Sequence, residues 1–448
     1  MKYEEFKNLV IKAAEAKELK DYELYYNASE SVSVEAFAHE INEFSSSTEG
    51  GVCFRVLLGG QMGYASTEDM SAEEAAAIVE RAVENAAVLE TAEESFLAEA
   101  GGTYQTVEEK HFVPATAQEL VKTALEGQNI AYAADPQVIN GTTTSAINES
   151  GTVAIYNSRG LDLSASYATA VIVAAPVVSD GKEMNNTYEV KLGSLDQIDL
   201  KEVIEKAVTN AKKKLGAGVA PTGNYPVIFS PKATATLLAT FSSAFSAEAA
   251  QKGLSPLKGK EGQTIAAENV TLIDDPFYEE SPARIPFDAE GMPAYRKAVI
   301  ENGEFRTLLY NLKTAAVAGV KTTGNASKHG YSSPVGISPF TLILQPGTLP
   351  EEELLKEAGN GVYIDSLMGT HAGANPISGD FSLQSGGFMI ENGEKTKAVK
   401  SFTVAGNFYE MLKQIDALSN KAEYQGMGGL TAFAAPAILV NGLSVAGK

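Results

Sequence analysis

The chain has a single cysteine, Cys53, and no tryptophan in 448 residues. One thiol excludes an internal disulfide framework and fits a reducing compartment. There are four histidines, His39, His111, His329 and His371. No two of them stand at the helical spacing of a metal-binding pair. Basic residues are scarce: 35 Lys and Arg face 57 Asp and Glu, for a formal charge of −22. A phosphate-binding face needs clustered cations, and only short runs such as Lys212-Lys213-Lys214 occur, which argues against nucleic-acid or anionic-membrane binding. Long apolar runs are also missing. The longest, Ala168 to Val178, falls well short of the ~20 residues that span a bilayer. The opening Met1-Lys2-Tyr3-Glu4-Glu5 has acid where a signal peptide has base, so the expectation is a soluble cytoplasmic protein.

What is present is an ordinary globular balance, 44% hydrophobic and 21% charged, with room for two to three domains. Glu4 to Leu19 puts Phe6, Leu9, Val10, Ala13 and Ala14 on one helical face. Strand patterns follow at Tyr22 to Tyr26, Val32 to Phe44 and Val52 to Leu58, then Ser71 and Glu74 open an Ala-rich helix in capping-box spacing. Thr91 to Val113 has no clear period and reads as a linker. Thr116 and Glu119 repeat the capping signal, more strands run from Val138 to Val178, and Asp199 starts another helix to Lys214. The second half begins with a strand, Tyr225 to Phe229, and a helix from Pro231 to about Gln251. Ile300-Glu301-Asn302-Gly303-Glu304 recurs as Ile390 to Glu394, each copy centred on the Asn-Gly of a tight hairpin. Strands grouped in hairpins predict an α+β fold: two related units of helices and antiparallel hairpins, at 1–90 and 91–215, and a β-rich C-terminal domain at 222–448.

Several chemistries can be weighed from motifs. His39-Glu40 opens like a zinc-protease helix, but no second histidine follows and the local period is that of a strand, which favours a surface histidine. Cys53 lies in Val52-Cys53-Phe54, an apolar strand where a thiol is core and inert. The segment from Gly253 to Gly259-Lys260 narrowly misses a phosphate loop: it is one spacer too long, with Glu261 where Ser or Thr belongs. Two polar constellations remain. Pro286-Phe287-Asp288-Ala289-Glu290-Gly291, with Arg296 nearby, reads as a surface turn of solvated acids or as part of a site. His371 to Ser382, which includes Asn375 and Asp380, reads as a ligand-facing loop or as a glycine-rich crossover held by Asx turns.

These segments fall in a recognisable order with Asn157-Ser158-Arg159-Gly160, Thr323-Gly324-Asn325-Ala326, Gly379-Asp380-Phe381-Ser382 and Val404-Ala405-Gly406-Asn407. Over nearly the whole chain they resemble the TldD/PmbA family, the modulator of DNA gyrase family, in its PmbA/TldE-type branch. The resemblance implies a two-subunit zinc metalloprotease acting on unfolded or leader peptides. Its TldD-type subunit carries a His-Glu-x-x-x-His helix, and the PmbA-type partner lacks it. The gyrase name describes a genetic effect and implies no DNA binding. Carried onto this chain, the family's first histidine falls near Ala239, its glutamate near Thr240 and its second histidine near Ala244. Alanine cannot ligate zinc, and threonine is neither a usual zinc ligand nor a carboxylate base.

The resemblance therefore implies no catalytic, cofactor-binding or metal residue in this chain, with zinc expected in a TldD-like partner. The chain would close the substrate chamber, and a homodimer is possible when no partner is available. His371, Asn375, Asp380 and Ser382, with Asp288, Glu290 and Arg296, are the candidate groove residues. Two alternatives stand beside this. One is a self-sufficient hydrolase whose metal sits on His371 with Asp288 or Asp380. The other is a scaffold that grips peptides without cutting them.

Overall fold

A computed structural model describes residues 1–90, 96–108, 110–426 and 430–447. Positions 91–95 and 109 of the expected linker lie outside these residues. The first helix, α1 (Tyr3–Ala16), buries Phe6, Val10 and Ala14 as its spacing predicts. Strands β1 (Tyr22–Phe37), β2 (Glu40–Leu58) and β3 (Gln61–Thr67) then form an antiparallel meander. The strand expected over Val32 to Phe44 is in fact two strands joined by a turn at Ala38-His39, whose φ angles are 49° and 65°. Val32, Val34, Ala36 and Ala38 keep a two-residue apolar period up to that turn, and neither glycine nor asparagine marks it. His39 is exposed there and stacks on Tyr132 at 4.4 Å between centroids.

Helix α2 (Ala72–Ala87) is capped by Ser71, whose Oγ accepts the Glu74 N–H at 3.2 Å. Helix α3 (Ala117–Ala134) opens on the full Thr116–Glu119 capping box. Beyond it come β4 (Thr143–Asn157), β5 (Asp162–Ala175), β6 (Glu189–Gly193) and α4 (Leu200–Lys212), the last capped by Asp199. Strands β1 and β4 pair antiparallel from Glu23 opposite Asn157 to Phe37 opposite Thr143. The two helix-and-hairpin stretches therefore share one six-stranded sheet in the order β3-β2-β1-β4-β5-β6.

The C-terminal part contains β7 (Gly223–Phe229), α5 (Pro231–Phe241), α6 (Ala247–Gln251), β8 (Leu272–Asp274), β9 (Lys297–Glu301) and β10 (Glu304–Phe305). It continues with α7 (Leu312–Ala318), β11 (Thr341–Leu344), α8 (Glu351–Ala358), β12 (Gly361–Met368) and α9 (Thr370–Gly373). Last come β13 (Asp380–Glu391), β14 (Glu394–Asn407), α10 (Phe408–Lys413), β15 (Ile415–Gly426) and β16 (Ala432–Ala446). Asn302-Gly303 and Asn392-Gly393 form the two expected hairpins with positive φ at all four residues.

Strand β7 pairs parallel with β12 and antiparallel with β16. Pairings β12–β13, β13–β14 and β14–β16 complete a closed ring, while β11, β8, β9 and β10 extend outward from β16. Helix α5 packs against this ring. Phe241 stacks on Phe408 at 4.4 Å and meets Phe381 edge-on at 6.3 Å, so truncating Phe241 to Ala would cost about 3–5 kcal/mol. The architecture is mixed α+β with a β-rich C-terminal region. Among the described residues no helix is long and apolar enough to cross a membrane.

Candidate functional site: an exposed polar loop and a buried charge cluster

Helix α5 begins cleanly. Ser230 Oγ accepts the Ala233 N–H at 3.1 Å, and Pro231 occupies the first turn. It ends sooner than the expected helix to Gln251. Thr240 Oγ1 donates to the Thr236 carbonyl at 2.7 Å and Ser242 Oγ to the Ala239 carbonyl at 3.0 Å. Such hydroxyl bonds back to the helix carbonyls compete with the backbone ladder, and residues 242–245 pass into a 3₁₀ turn before α6. Ala239 and Thr240 are half-buried, whereas Ala244 sits in the 3₁₀ turn and is buried. Two methyl groups and a hydroxyl already bonded within its helix do not fit a zinc ion. Among the described residues no group of three or more His, Cys, Asp and Glu is placed to hold a metal.

His371 is exposed on α9, Asn375 on the loop that leads from α9 into β13, and Asp380 and Ser382 at the start of β13. Asn375 organises the loop. Its Oδ1 accepts the N–H groups of Ile377 at 2.9 Å and Ser378 at 3.3 Å, and its carbonyl accepts the Gly379 N–H at 2.8 Å. Asn407, at the end of β14, ties the loop down: its Nδ2 donates to the Asp380 carboxylate at 2.9 Å and to the Ser378 carbonyl at 2.8 Å. The Asn407 bond, then one to Ser378, holds the Asp380 carboxyl below the usual range, so Asp380 presents a carboxylate. Gly379 is at φ 84°, and a Cβ there would meet Tyr409 Cδ2 at 2.4 Å, so only glycine fits this close approach.

The 286–291 segment is not a surface turn. Asp288 and Glu290 are 2% and 4% exposed. Asp288 accepts the N–H groups of Glu290 at 2.9 Å, Met292 at 3.0 Å and Ala326 at 2.9 Å. Glu290 accepts the Leu312 N–H at 2.8 Å, at the start of α7. Burial pushes the Asp288 carboxyl up to about 6 and the Glu290 carboxyl up to about 8, although Arg55 opposes the rise at Glu290. Arg55 reaches in from β2 and bonds Glu23 of β1 at 2.6 Å, and among the described residues Arg55 Nη2 and Glu23 Oε2 are buried without hydrogen-bond partners. A second buried pair, Lys297 and Asp274 at 2.9 Å, is joined by Asn325 at 2.6 Å. Around Asp288 and Glu290, Tyr25, Cys53 and Ile155 of the N-terminal sheet pack with Ile285 and Phe287.

The seven groove candidates thus fall in three places. Four stand exposed along the segment from α9 through its loop into the start of β13, two are buried between the N-terminal sheet and the C-terminal region, and Arg296 is exposed beside Asp275 at 3.3 Å. Sequence reasoning missed Glu23, Arg55, Asp274 and Lys297. One signal was visible: Arg55 interrupts the apolar run Val52-Cys53-Phe54-Arg55-Val56, and a charge at such a position needs a partner. The β1–β2 register supplies it by placing Glu23 directly opposite.

Three family models match consecutive segments: PmbA/TldA metallopeptidase domain 1 over 22–86, the central domain over 110–215 and the C-terminal domain over 222–447. A solved structure from Thermotoga maritima, described as a candidate modulator of a DNA gyrase, superposes at TM-score 0.89 with 30% identity, covering 99% of this chain and 100% of that one. TldE from Thermococcus kodakarensis shares the fold at TM-score 0.89 with 24% identity, covering 98% and 99%. A Haemophilus influenzae protein named metalloprotease PmbA homolog is 26% identical over 404 residues, 88% of this chain and 86% of its own length. The same organism's metalloprotease TldD homolog is 27% identical over 230 residues, 50% of this chain and 47% of its own. With more than half its length inside the C-terminal domain model and the remaining two models matched in order ahead of it, this chain belongs to the PmbA/TldD metallopeptidase family.

Proposed function

We propose that this chain is the non-metal-binding subunit of a two-subunit zinc metallopeptidase. In this role it closes the substrate chamber and holds unfolded or leader peptides while a TldD-like partner cuts them. One observation carries the reading: the α5 region has Ala239, Thr240 and Ala244 where the family's ligand and base positions are expected, and none can serve there. Zinc in the partner would lower the pKa of its bound water and polarise the peptide carbonyl. This chain's part is to bind and orient the peptide. The exposed His371–Ser382 loop, held rigid by Asn375 and Asn407, offers a carboxylate, an imidazole and a hydroxyl to an extended backbone. Relatives named TldD and TldE support a partner of TldD type.

Cleavage of an unstructured peptide tests the reading, with the purified chain compared alone and mixed with a His-Glu-x-x-x-His paralogue from the same source. Chelator-sensitive cleavage by the mixture only is the expected result. Equal cleavage by the chain alone overturns it.

A further inference from the structure

Beside the exposed loop lies a cavity of about 430 Å³, within the range of small-ligand pockets. Its apolar lining comes from Phe245, Leu257, Ile265 and Leu412, all buried side chains. Lys260, Gln263, Thr264, Lys413 and the carboxylate of Glu410 add polar groups. The two lysines differ: Lys413 Nζ is bonded to Glu410 at 2.9 Å, whereas the Lys260 side chain has no hydrogen-bond or ion-pair partner among the described residues. Lys260 belongs to the segment that narrowly misses a phosphate loop. Here that segment is no strand-to-helix turn but a wall fastened to the neighbouring hairpin, through Gly262 N–H to the Phe305 carbonyl at 2.8 Å and Phe305 N–H to the Gln263 carbonyl at 2.9 Å. Ser255 Oγ donates to the Ala244 carbonyl at 2.6 Å and fixes the entry to the same segment.

The opposite wall contains Ser378, Asn407 and Tyr409, the residues that hold the exposed loop. Asn407 Oδ1 accepts the Tyr409 N–H at 3.1 Å, and the Tyr409 hydroxyl donates to the Pro376 carbonyl. Pocket and loop therefore share a wall made by Ser378, Asn407 and Tyr409. An unpaired ammonium beside an apolar lining selects an apolar body that bears a carboxylate, against the general repulsion of a chain of charge −22. We infer that this pocket takes the C-terminal residue of a peptide that ends in an apolar side chain, with Lys260 binding the terminal carboxylate. The inference rests on the peptide-holding role proposed above and adds the part of the peptide that is recognised.

The test is fluorescence anisotropy on the full chain without a partner. The probes are an N-terminally labelled unstructured peptide ending in Leu, as free acid and as C-terminal amide, with hexanoate and an amidated peptide carrying an internal Glu as competitors. The free acid is expected to bind about tenfold more tightly than the amide, the worth of one charge-assisted bond. Lys260→Gln should erase that preference, leave amide affinity unchanged and keep the thermal midpoint. Equal affinity for acid and amide overturns the inference, as does a preference that survives Lys260→Gln. If hexanoate or the internal-Glu amide competes as well as the free acid, the ligand is any carboxylate on an apolar body, and the C-terminal assignment falls. Cleavage by the two-subunit mixture is scored separately. Cleavage without an acid preference removes the pocket assignment alone, and an acid preference without cleavage removes the subunit role alone.

Discussion

Glu290→Gln probes the buried junction between the N-terminal sheet and the C-terminal region. Glu290 is 4% exposed, and its carboxyl is raised from 4.5 to about 8 by burial, with the Arg55 charge opposing and the Asp288 charge adding to the rise. Arg55 is already engaged with Glu23 at 2.6 Å, so one guanidinium serves two buried acids. The sign follows from proton counting. Below pH 4.5 both folded and unfolded chains hold the Glu290 proton; between 4.5 and about 8 the folded chain keeps it and the unfolded chain has released it. This contribution is therefore complete below 4.5, falls as pH rises, and is lost above about 8.

Asp288, raised to about 6, titrates with Glu290 as an interacting pair, so the interval from 6 to 8 follows the upper proton of that pair, which Glu290→Gln removes. Each pH unit is worth roughly 1.4 kcal/mol, or about 3 kcal/mol over that interval. Glutamine keeps an acceptor for the Leu312 N–H and has no proton to lose. At 448 residues, 1 kcal/mol moves the thermal midpoint by roughly 1 °C. Scanning fluorimetry from pH 5 to 8.5 at constant ionic strength should show the variant gaining about 3 °C on the parent between pH 6 and 8. Parallel curves would refute the reasoning, because they would mean that Arg55 outweighs burial and Glu290 is ionised throughout.

Lys297→Met removes one partner of a buried pair whose side chains are 6% and 0% exposed, and the stranded Asp274 carboxylate should cost about 3–5 kcal/mol, read as a lower urea midpoint. Gly379→Ala forces a Cβ to 2.4 Å from Tyr409 at positive φ, with an expected cost of about 1–3 kcal/mol and weaker peptide binding by anisotropy. His371→Ala and Asp380→Ala should each slow peptide cleavage by the two-subunit mixture while the thermal midpoint holds; unchanged turnover in both discards the groove assignment.

Local elements were legible wherever a side chain closes a backbone hydrogen bond. Ser71, Thr116 and Asp199 mark their helix starts by type and spacing, and both Asn-Gly pairs mark their hairpins. The Ala38-His39 turn was illegible because its residues have no turn chemistry and its flanks are exposed on both sides. Long-range pairing left no local trace either. The β1–β4 pairing that merges two hairpin units and the β7–β16 pairing that closes the C-terminal ring join residues more than a hundred positions apart. The exposed loop was found because its Asn, Gly and Asp types announce turns. Asp288 and Glu290 were found as residues but misplaced as a surface turn, since burial of an acid depends on partners such as Arg55 that fold in from another strand.

Zinc content by elemental analysis tests the central claim most directly, measured on the purified chain and on its complex with a His-Glu-x-x-x-His paralogue after gel filtration. The account predicts no stoichiometric zinc on the isolated chain and about one zinc per complex, carried by the paralogue. One zinc per isolated chain, lost with activity on chelation, would contradict it.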